Sequence, residues 1–251
     1  MNVLALEFPS ISHLTNWPEI ALGLNKVGLI YIFATVATLT LFLVGGSKKK
    51  LVPRGVQNIA ESSVEFVRNQ IIMQTIGVDG LGFLPLLTTM FFFIFFSNIT
   101  EVIPGVQFPA NARFGIPLVL ALLVWAIYWI VGFVKQGPLR YLKNATVPPG
   151  VPKPILPLVS LIEFLQILIV RPFSQAVRLF ANMLAGHLIL VTFGVLCAAL
   201  WAAKWYAILV PPTFLLLVFL TAFEVLVSFL QAFIFTILTA VYIGSSMHPD
   251  H

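Results

Sequence analysis

Two apolar stretches of this sequence carry polar side chains that apolar stretches rarely hold. The first contains Glu163, Gln166, Arg171, Gln175, Arg178, Asn182 and His187, and the second contains Thr221, Glu224, Ser228 and Gln231. An ionisable group at the centre of a bilayer costs about 2.5–3.5 kcal/mol on insertion scales, so each needs a partner, water or a task. The residue types divide by what they can do with a proton. Arginine keeps its charge, its pKa lying above about 12, so Arg178 cannot relay protons. As a permanent cation it instead favours the ionised form of any carboxylate that approaches it. Histidine and carboxylates do titrate, which makes His187 and Glu224 the candidate relay pair.

Helical spacing sorts these groups into faces. At about 100° per residue, Arg171, Gln175, Arg178 and Asn182 follow i, i+4, i+7 and i+11 and share one stripe. His187, further along, points about 180° away from Arg178 on a straight helix, so a second polar environment is implied. In the other stretch Glu224, Ser228 and Gln231 again fall at i, i+4 and i+7, with Thr221 flanking, and the two stripes can meet face to face. Plainer roles exist for several of them. Glu163 and Arg171 equally suit an ion pair that only orients helices, Gln175, Ser228 and Thr221 suit helix-packing hydrogen bonds, and Glu101 reads as a loop charge.

The elements that must position these residues are membrane helices. Of 251 residues 59% are hydrophobic and 9% charged, with mean hydropathy +1.01, against about 25% charged residues in a typical soluble domain. The net charge of +5 and pI near 9.5 do not indicate nucleic acid, because the basic residues fall mostly between apolar runs. The fold class expected is an all-α membrane protein of about five membrane-embedded helices plus one amphipathic surface helix. A bilayer crossing takes about 20 apolar residues, and spans are expected at 27–44, 81–97 and 116–134. Residues 53–76 read as the surface helix, with Val56, Ile59, Ala60, Val64, Val67 and Ile71 interleaved with Gln57, Glu61, Glu65 and Arg68. The phenylalanine-rich run 91–96 is expected to face lipid or pack. Residues 157–200 and 205–245 form two much longer apolar segments, a helical hairpin whose arms would each reach on the order of 60 Å and must tilt, bend or protrude. Pro172 builds a bend into the first arm. Everything from residue 1 to 251 reads as one membrane domain, opening with the segment 1–26.

Basic loops set the expected topology. Lys48, Lys49, Lys50 and Arg54 fall on one side, with Lys135, Arg140, Lys143 and Lys153 on the same side two spans later, whereas the opposite side has Lys26, Arg113 and Lys204. The positive-inside rule then puts the surface helix and the Pro-rich connector in the cytoplasm, the N-terminus outside and the C-terminus inside. The N-terminus lacks the basic start of a cleaved signal and is expected to be retained. Cys197 is the single cysteine, which excludes an intrachain disulfide and a cysteine zinc cluster. Neither GxxxxGK[ST] nor GxGxxG is visible, so no nucleotide site is expected on this chain, and no cofactor or metal. A secondary transporter would predict paired inverted halves, which are not found. An intramembrane hydrolase built on Ser174 or Ser228 with His187 has no GxSxG or HExxH to support it.

The string RPFSQAVRLFANMLAGH (171–187), followed by LQAFIFTILTAVYI (230–243), resembles subunit a of F-type ATP synthases of the bacterial type. The resemblance is strongest over the hairpin and covers the whole chain in layout. It implies that Arg178, the arginine of RLFxNxxxG, faces the essential carboxylate of a rotating c-ring and separates two aqueous half-channels, with Asn182 and Gln231 beside it. Family members carry an acid and a histidine paired across the two helices, here His187 with Glu224. They commonly place an acidic residue seven positions before the residue that precedes the proline. Here Glu163 stands eight before Arg171, and with Arg171 and Gln175 it falls in the region of the cytoplasmic half-channel. The implied partners are the c-ring, the subunit b peripheral stalk, the rest of the F1Fo complex and the bilayer, in a bacterial plasma membrane. The implied role is that of a channel subunit carrying no nucleotide chemistry of its own.

Overall fold

The computed structural model describes residues 25–47, 54–103, 106, 108–147, 151–152, 154–202 and 204–247. The N-terminal segment before Asn25, the lysines at 48–50 and Lys153 lie outside the described residues.

Eight helices of eight residues or more carry the described architecture: α1 (Lys26–Ser47), α2 (Val56–Val67), α3 (Leu84–Ile99), α4 (Gly115–Gln136), α5 (Pro138–Thr146), α6 (Leu156–Leu165), α7 (Arg171–Ala202) and α8 (Val210–Met247). Among the described residues five continuous helical runs are long and apolar enough to cross a membrane. They are α1; α3 with its leading 3₁₀ turn (Val78–Phe83); α4; the run Leu156–Ala202 formed by α6 and α7; and the run Tyr206–Met247 that ends in α8. The expected class, an all-α membrane protein with a long hairpin, is the one observed. The run Leu156–Ala202 has 47 residues and reaches roughly 70 Å at 1.5 Å per residue, more than twice the hydrocarbon thickness.

Helix α8 packs against α3, α4 and α7, α4 also packs against α7, and α1 rests on α2 and α3. Their shared core takes Leu87, Met90, Phe91 and Ile94 from α3, Val124 and Tyr128 from α4, Leu179 from α7 and Ala232, Phe235, Ala240 and Ile243 from α8. The phenylalanine-rich run of α3 contributes to packing: the Phe91 ring meets Phe66, Phe92 and Phe229. Away from this core the apolar side chains point outward, among them Phe214, Val218 and Phe219 on α8, as helices solvated by lipid do.

Helix α2 is amphipathic, and its apolar side is used twice. Ala60 lies directly against Gly45 near the end of α1, where any side chain on the glycine would collide with it. Further on, Val67, Ile71 and Ile72 enter the main core. The helix therefore lies against the bundle and anchors there, with Val56 and Ile59 outward. At the same end of the bundle Gly137, at φ 83°, makes the left-handed turn that starts α5. The turn brings the Tyr141 ring onto Gly132, whose missing side chain makes room for it.

Pro172 does not interrupt the first arm. A proline in a helix interior has no N–H to donate and its ring crowds the preceding turn. Here the turn ahead of it is widened: Gln166–Val170 is π-helical, with the Arg171 N–H bonded to the Gln166 carbonyl. In that wider register the Pro172 nitrogen would face the Ile167 carbonyl. The Tyr128 hydroxyl of α4 donates to that carbonyl at 2.6 Å, so no acceptor is stranded.

Candidate functional site

The polar stripe of α7 faces α8, and its members meet three different fates. The Gln175 amide donates to the Phe235 carbonyl at 3.2 Å and to Thr239 Oγ1 at 3.1 Å, deep in the bundle. The Asn182 amide donates to Gln231 Oε1 at 2.8 Å. The Arg171 guanidinium lies 5.1 Å from the centre of the Tyr242 ring, a cation–π distance. Gln231 and Tyr242 lie eleven residues apart, three turns of α8, so the two stripes run along each other.

Arg178 differs from its neighbours on the stripe. It is part-exposed, and among the described residues no hydrogen-bond or ion-pair partner is present for it. The flanking amides are held by α8, while the cation between them has no such anchor among the described residues. Glu163, on α6, is also half-buried.

Nine residues beyond Arg178 the chain builds its second polar environment. His187 is buried, and its Nδ1 lies 3.7 Å from Oε1 of Glu101, an ion-pair distance too long for a good hydrogen bond. The Phe108 ring meets the imidazole edge to face, centres 5.8 Å apart. Glu224 comes from α8 and presses its carboxyl onto Gly186: a Cβ built there would lie 2.6 Å from Oε1 and 2.7 Å from Oε2. Gly186 is therefore the residue that lets a carboxyl approach the α7 backbone. The contact made by His187 is to Glu101, and Glu224 sits on the adjacent residue, so the two-member pair expected from the sequence lies within a three-member group. A cavity of about 350 Å³ opens beside it, lined in part by Glu101, His187, Leu217 and Thr221.

Glu101 is the member that sequence reasoning passed over. It follows α3 in a turn, as a loop charge would, yet it is 3% exposed because the loop folds back into the bundle. The Thr100 hydroxyl donates to the Phe108 carbonyl at 3.1 Å, and the Asn111 amide donates to Ser97 Oγ at 2.8 Å and Asn98 Oδ1 at 2.6 Å. Tyr31 of α1 closes the network by donating to Asn111 Oδ1 at 3.0 Å. The signal available was the density of amides and hydroxyls around Glu101, which a solvated loop has no need to pair. Neither Glu101 oxygen accepts a hydrogen bond among the described residues. Burial, and then the neighbouring charge of Glu224, push its carboxyl up to about 8, so at neutral pH it holds its proton.

The arrangement offers two chemistries in sequence along one helix pair: a titratable cluster beside a cavity, and a stripe holding a charge that cannot be neutralised. Below the cluster, Ser228 is fully buried, and its hydroxyl, Glu224 Oε2 and Gln231 Nε2 have no hydrogen-bond partner among the described residues. Polar atoms buried in this way are expected to carry water or a task.

Comparison with known proteins gives the family. The family described as ATP synthase A chain matches residues 28–244. The chain is 40% identical over 249 residues to ATP synthase subunit a of Frankia alni, covering 94% of this chain and 84% of the relative. It is 41% identical over 230 residues to ATP synthase subunit a of Rhodococcus erythropolis, covering 90% and 84%. To ATP synthase subunit a of Rhodopseudomonas palustris strain TIE-1 it is 44% identical over 225 residues, covering 88% and 87%. With a match that takes in all five membrane-length helices at least in part, the chain belongs to the ATP synthase A chain family, the multi-pass membrane subunit a of bacterial F-type ATP synthases.

Proposed function

We propose that this subunit provides two proton half-channels separated by Arg178 beside a rotating c-ring, coupling proton flow to ring rotation and ATP synthesis. The observation that carries the proposal is Arg178 itself, part-exposed and without a partner among the described residues, between amides that are held by α8. A cation placed so favours the ionised form of a carboxylate brought to it from another chain. Protons enter from the outside by the cavity beside Glu101, His187 and Glu224, and neutralise a ring carboxylate. The ring turns that neutral group through lipid. When it meets Arg178 from the other side, it gives up its proton into a second path lined by Glu163, Arg171 and Gln175. Because Arg178 cannot release a proton, the two paths never join through it. The membrane potential supplies about 2.3 kcal/mol per charge per 100 mV.

This reading places the c-ring and the subunit b peripheral stalk as partners and requires no nucleotide site or cofactor on this chain. Its orientation puts the N-terminus outside and the C-terminus, with α2 and α5, in the cytoplasm. Arg54, Arg68, Lys135, Arg140 and Lys143 then fall on the cytoplasmic side, in accord with the positive-inside rule. The decisive experiment replaces Arg178 with Ala in the assembled enzyme and measures ATP-driven pumping and ATP synthesis in vesicles. Coupled synthesis is lost; its retention would overturn the proposal.

A further inference from the structure

We infer that the widened turn at Gln166–Val170 is a register-correcting device, that it brings Glu163 onto the face of Arg171, and that Tyr128 is the positioning residue that holds it open. The inference deepens the half-channel reading above and rests on it for the purpose of Glu163.

The argument is one of rotation. On a straight α-helix the residue seven before Arg171 shares its face, and the residue eight before is turned away by about 80°. Phe164 is seven before and Glu163 eight before. An uninterrupted helix would therefore point Phe164 along the polar stripe and move Glu163 off it. The π turn inserts one residue into a single turn, since Arg171 bonds back to Gln166 five positions away, and so offsets the two halves by about one residue's rotation, near 100°. Glu163 then takes the place that a residue seven positions back would hold. Exposure follows the corrected register: Phe164 is 37% exposed, Leu161, Ile162 and Leu165 also face outward, and Glu163 is half-buried.

A wide turn needs something to hold it, because it leaves backbone groups that the α register would pair. Pro172 supplies no N–H to the Ile167 carbonyl, and the Tyr128 hydroxyl takes its place at 2.6 Å. Tyr128 is buried, with its ring against Tyr242 at 5.9 Å between centres, and Tyr242 carries the Arg171 guanidinium on its face. One aromatic pair thus fixes both the carbonyl inside the wide turn and the first cation beyond it.

The test uses the whole ATP synthase in inverted vesicles, in a Cys197→Ser background, with the impermeant thiol reagent 2-(trimethylammonium)ethyl methanethiosulfonate added to the exposed cytoplasmic face. Glu163→Cys is expected to react about tenfold faster than Phe164→Cys, and adding Tyr128→Phe to cut that ratio to about threefold or less. Deleting Leu168 shortens the spacing to seven residues. It is expected to restore the ratio in the Tyr128→Phe background, which a mere packing role for Tyr128 does not predict. Equal labelling at 163 and 164 in the parent, a ratio indifferent to Tyr128→Phe, or no restoration by the deletion overturns the inference. Where Tyr128→Phe does not assemble with the ring, the parent ratio and its persistence in the Leu168 deletion alone decide the matter. These outcomes are independent of Arg178→Ala: a lost labelling pattern with Arg178→Ala still inactive sinks only the register device, whereas an active Arg178→Ala enzyme sinks the half-channel reading.

Discussion

The stretch of α7 around Arg178 and the stretch around His187 lie on one continuous helix, face the same bundle, and are built on opposite principles. Around Arg178 the neighbours are tied down: Gln175 to the α8 backbone and Thr239, Asn182 to Gln231, Arg171 to the Tyr242 ring. Around His187 the groups are close but loosely paired, with Glu101 at 3.7 Å, an unpaired Glu224 oxygen and a cavity alongside. A group that passes protons on has to change its bonding with each transfer, so a network with every lone pair satisfied would resist it. A group that has only to stay charged in one place gains from rigid neighbours. On the half-channel proposal, the difference between the regions is the difference between carrying a charge and holding one.

That contrast can be broken in graded ways. The largest effect is expected at Arg178. Its replacement by Ala removes the fixed charge and takes ATP-driven pumping to background, a loss of about a hundredfold or more, measured by fluorescence quenching in vesicles. Next comes Gly186→Ala. The added methyl would meet the Glu224 carboxyl at 2.6–2.7 Å, so the carboxyl must move, and pumping is expected to fall about tenfold with the subunit still assembled. An unchanged rate would show that the position of Glu224 is immaterial.

Glu101→Gln is expected to act less on the rate than on its pH dependence. With the carboxyl pushed up to about 8, Glu101 is protonated at neutral outer pH and loses its proton as the pH passes upward through 8. Delivery from the outside therefore declines over that range in the parent. In Glu101→Gln the rate is lower by about threefold to tenfold and the inflection near pH 8 disappears; an inflection that persists would assign the titration to another group. The smallest effect is expected at Thr221, whose hydroxyl bonds its own helix at the Leu217 carbonyl, 2.8 Å away. Thr221→Ala is expected to change pumping by less than about twofold, although the residue lines the same cavity. A loss equal to that of Glu101→Gln would erase the distinction between residues that line the path and residues that work in it.

How far the sequence foretold this arrangement depended on where the controlling contacts lie. The five spans and the stripe Arg171, Gln175, Arg178, Asn182 follow from periodicity, because a helix repeats its faces locally and a lipid solvent penalises every polar intruder. Glu101 escaped because its burial is decided by partners distant in sequence, among them Asn111 reaching back to Ser97 and Asn98, and a loop has no period to read. The wide turn escaped for another reason. Residues 166–170 read as an ordinary helical stretch, and neither Pro172, which indicates a bend as readily as a change of register, nor the eight-residue spacing of Glu163 from Arg171 says by itself that the turn is wide. What selects the latter is the Tyr128 hydroxyl on another helix. Orientation of the termini is legible as a charge bias alone, and impermeant labelling at either end would check it.

The far end of α8 is also fastened sideways. The Gln136 amide donates to the Ser246 carbonyl at 2.9 Å, Tyr141 and Ser246 share a hydroxyl–hydroxyl contact of 3.2 Å, and Asn144 donates to Gln136 at 3.1 Å. In mechanical language α8 is a beam supported at that tip as well as along its length. A lateral push on its outer face would be passed into α4 and α5 instead of deflecting a free end, so stiffness at this corner is set by three hydrogen bonds made about six turns of α8 beyond Glu224.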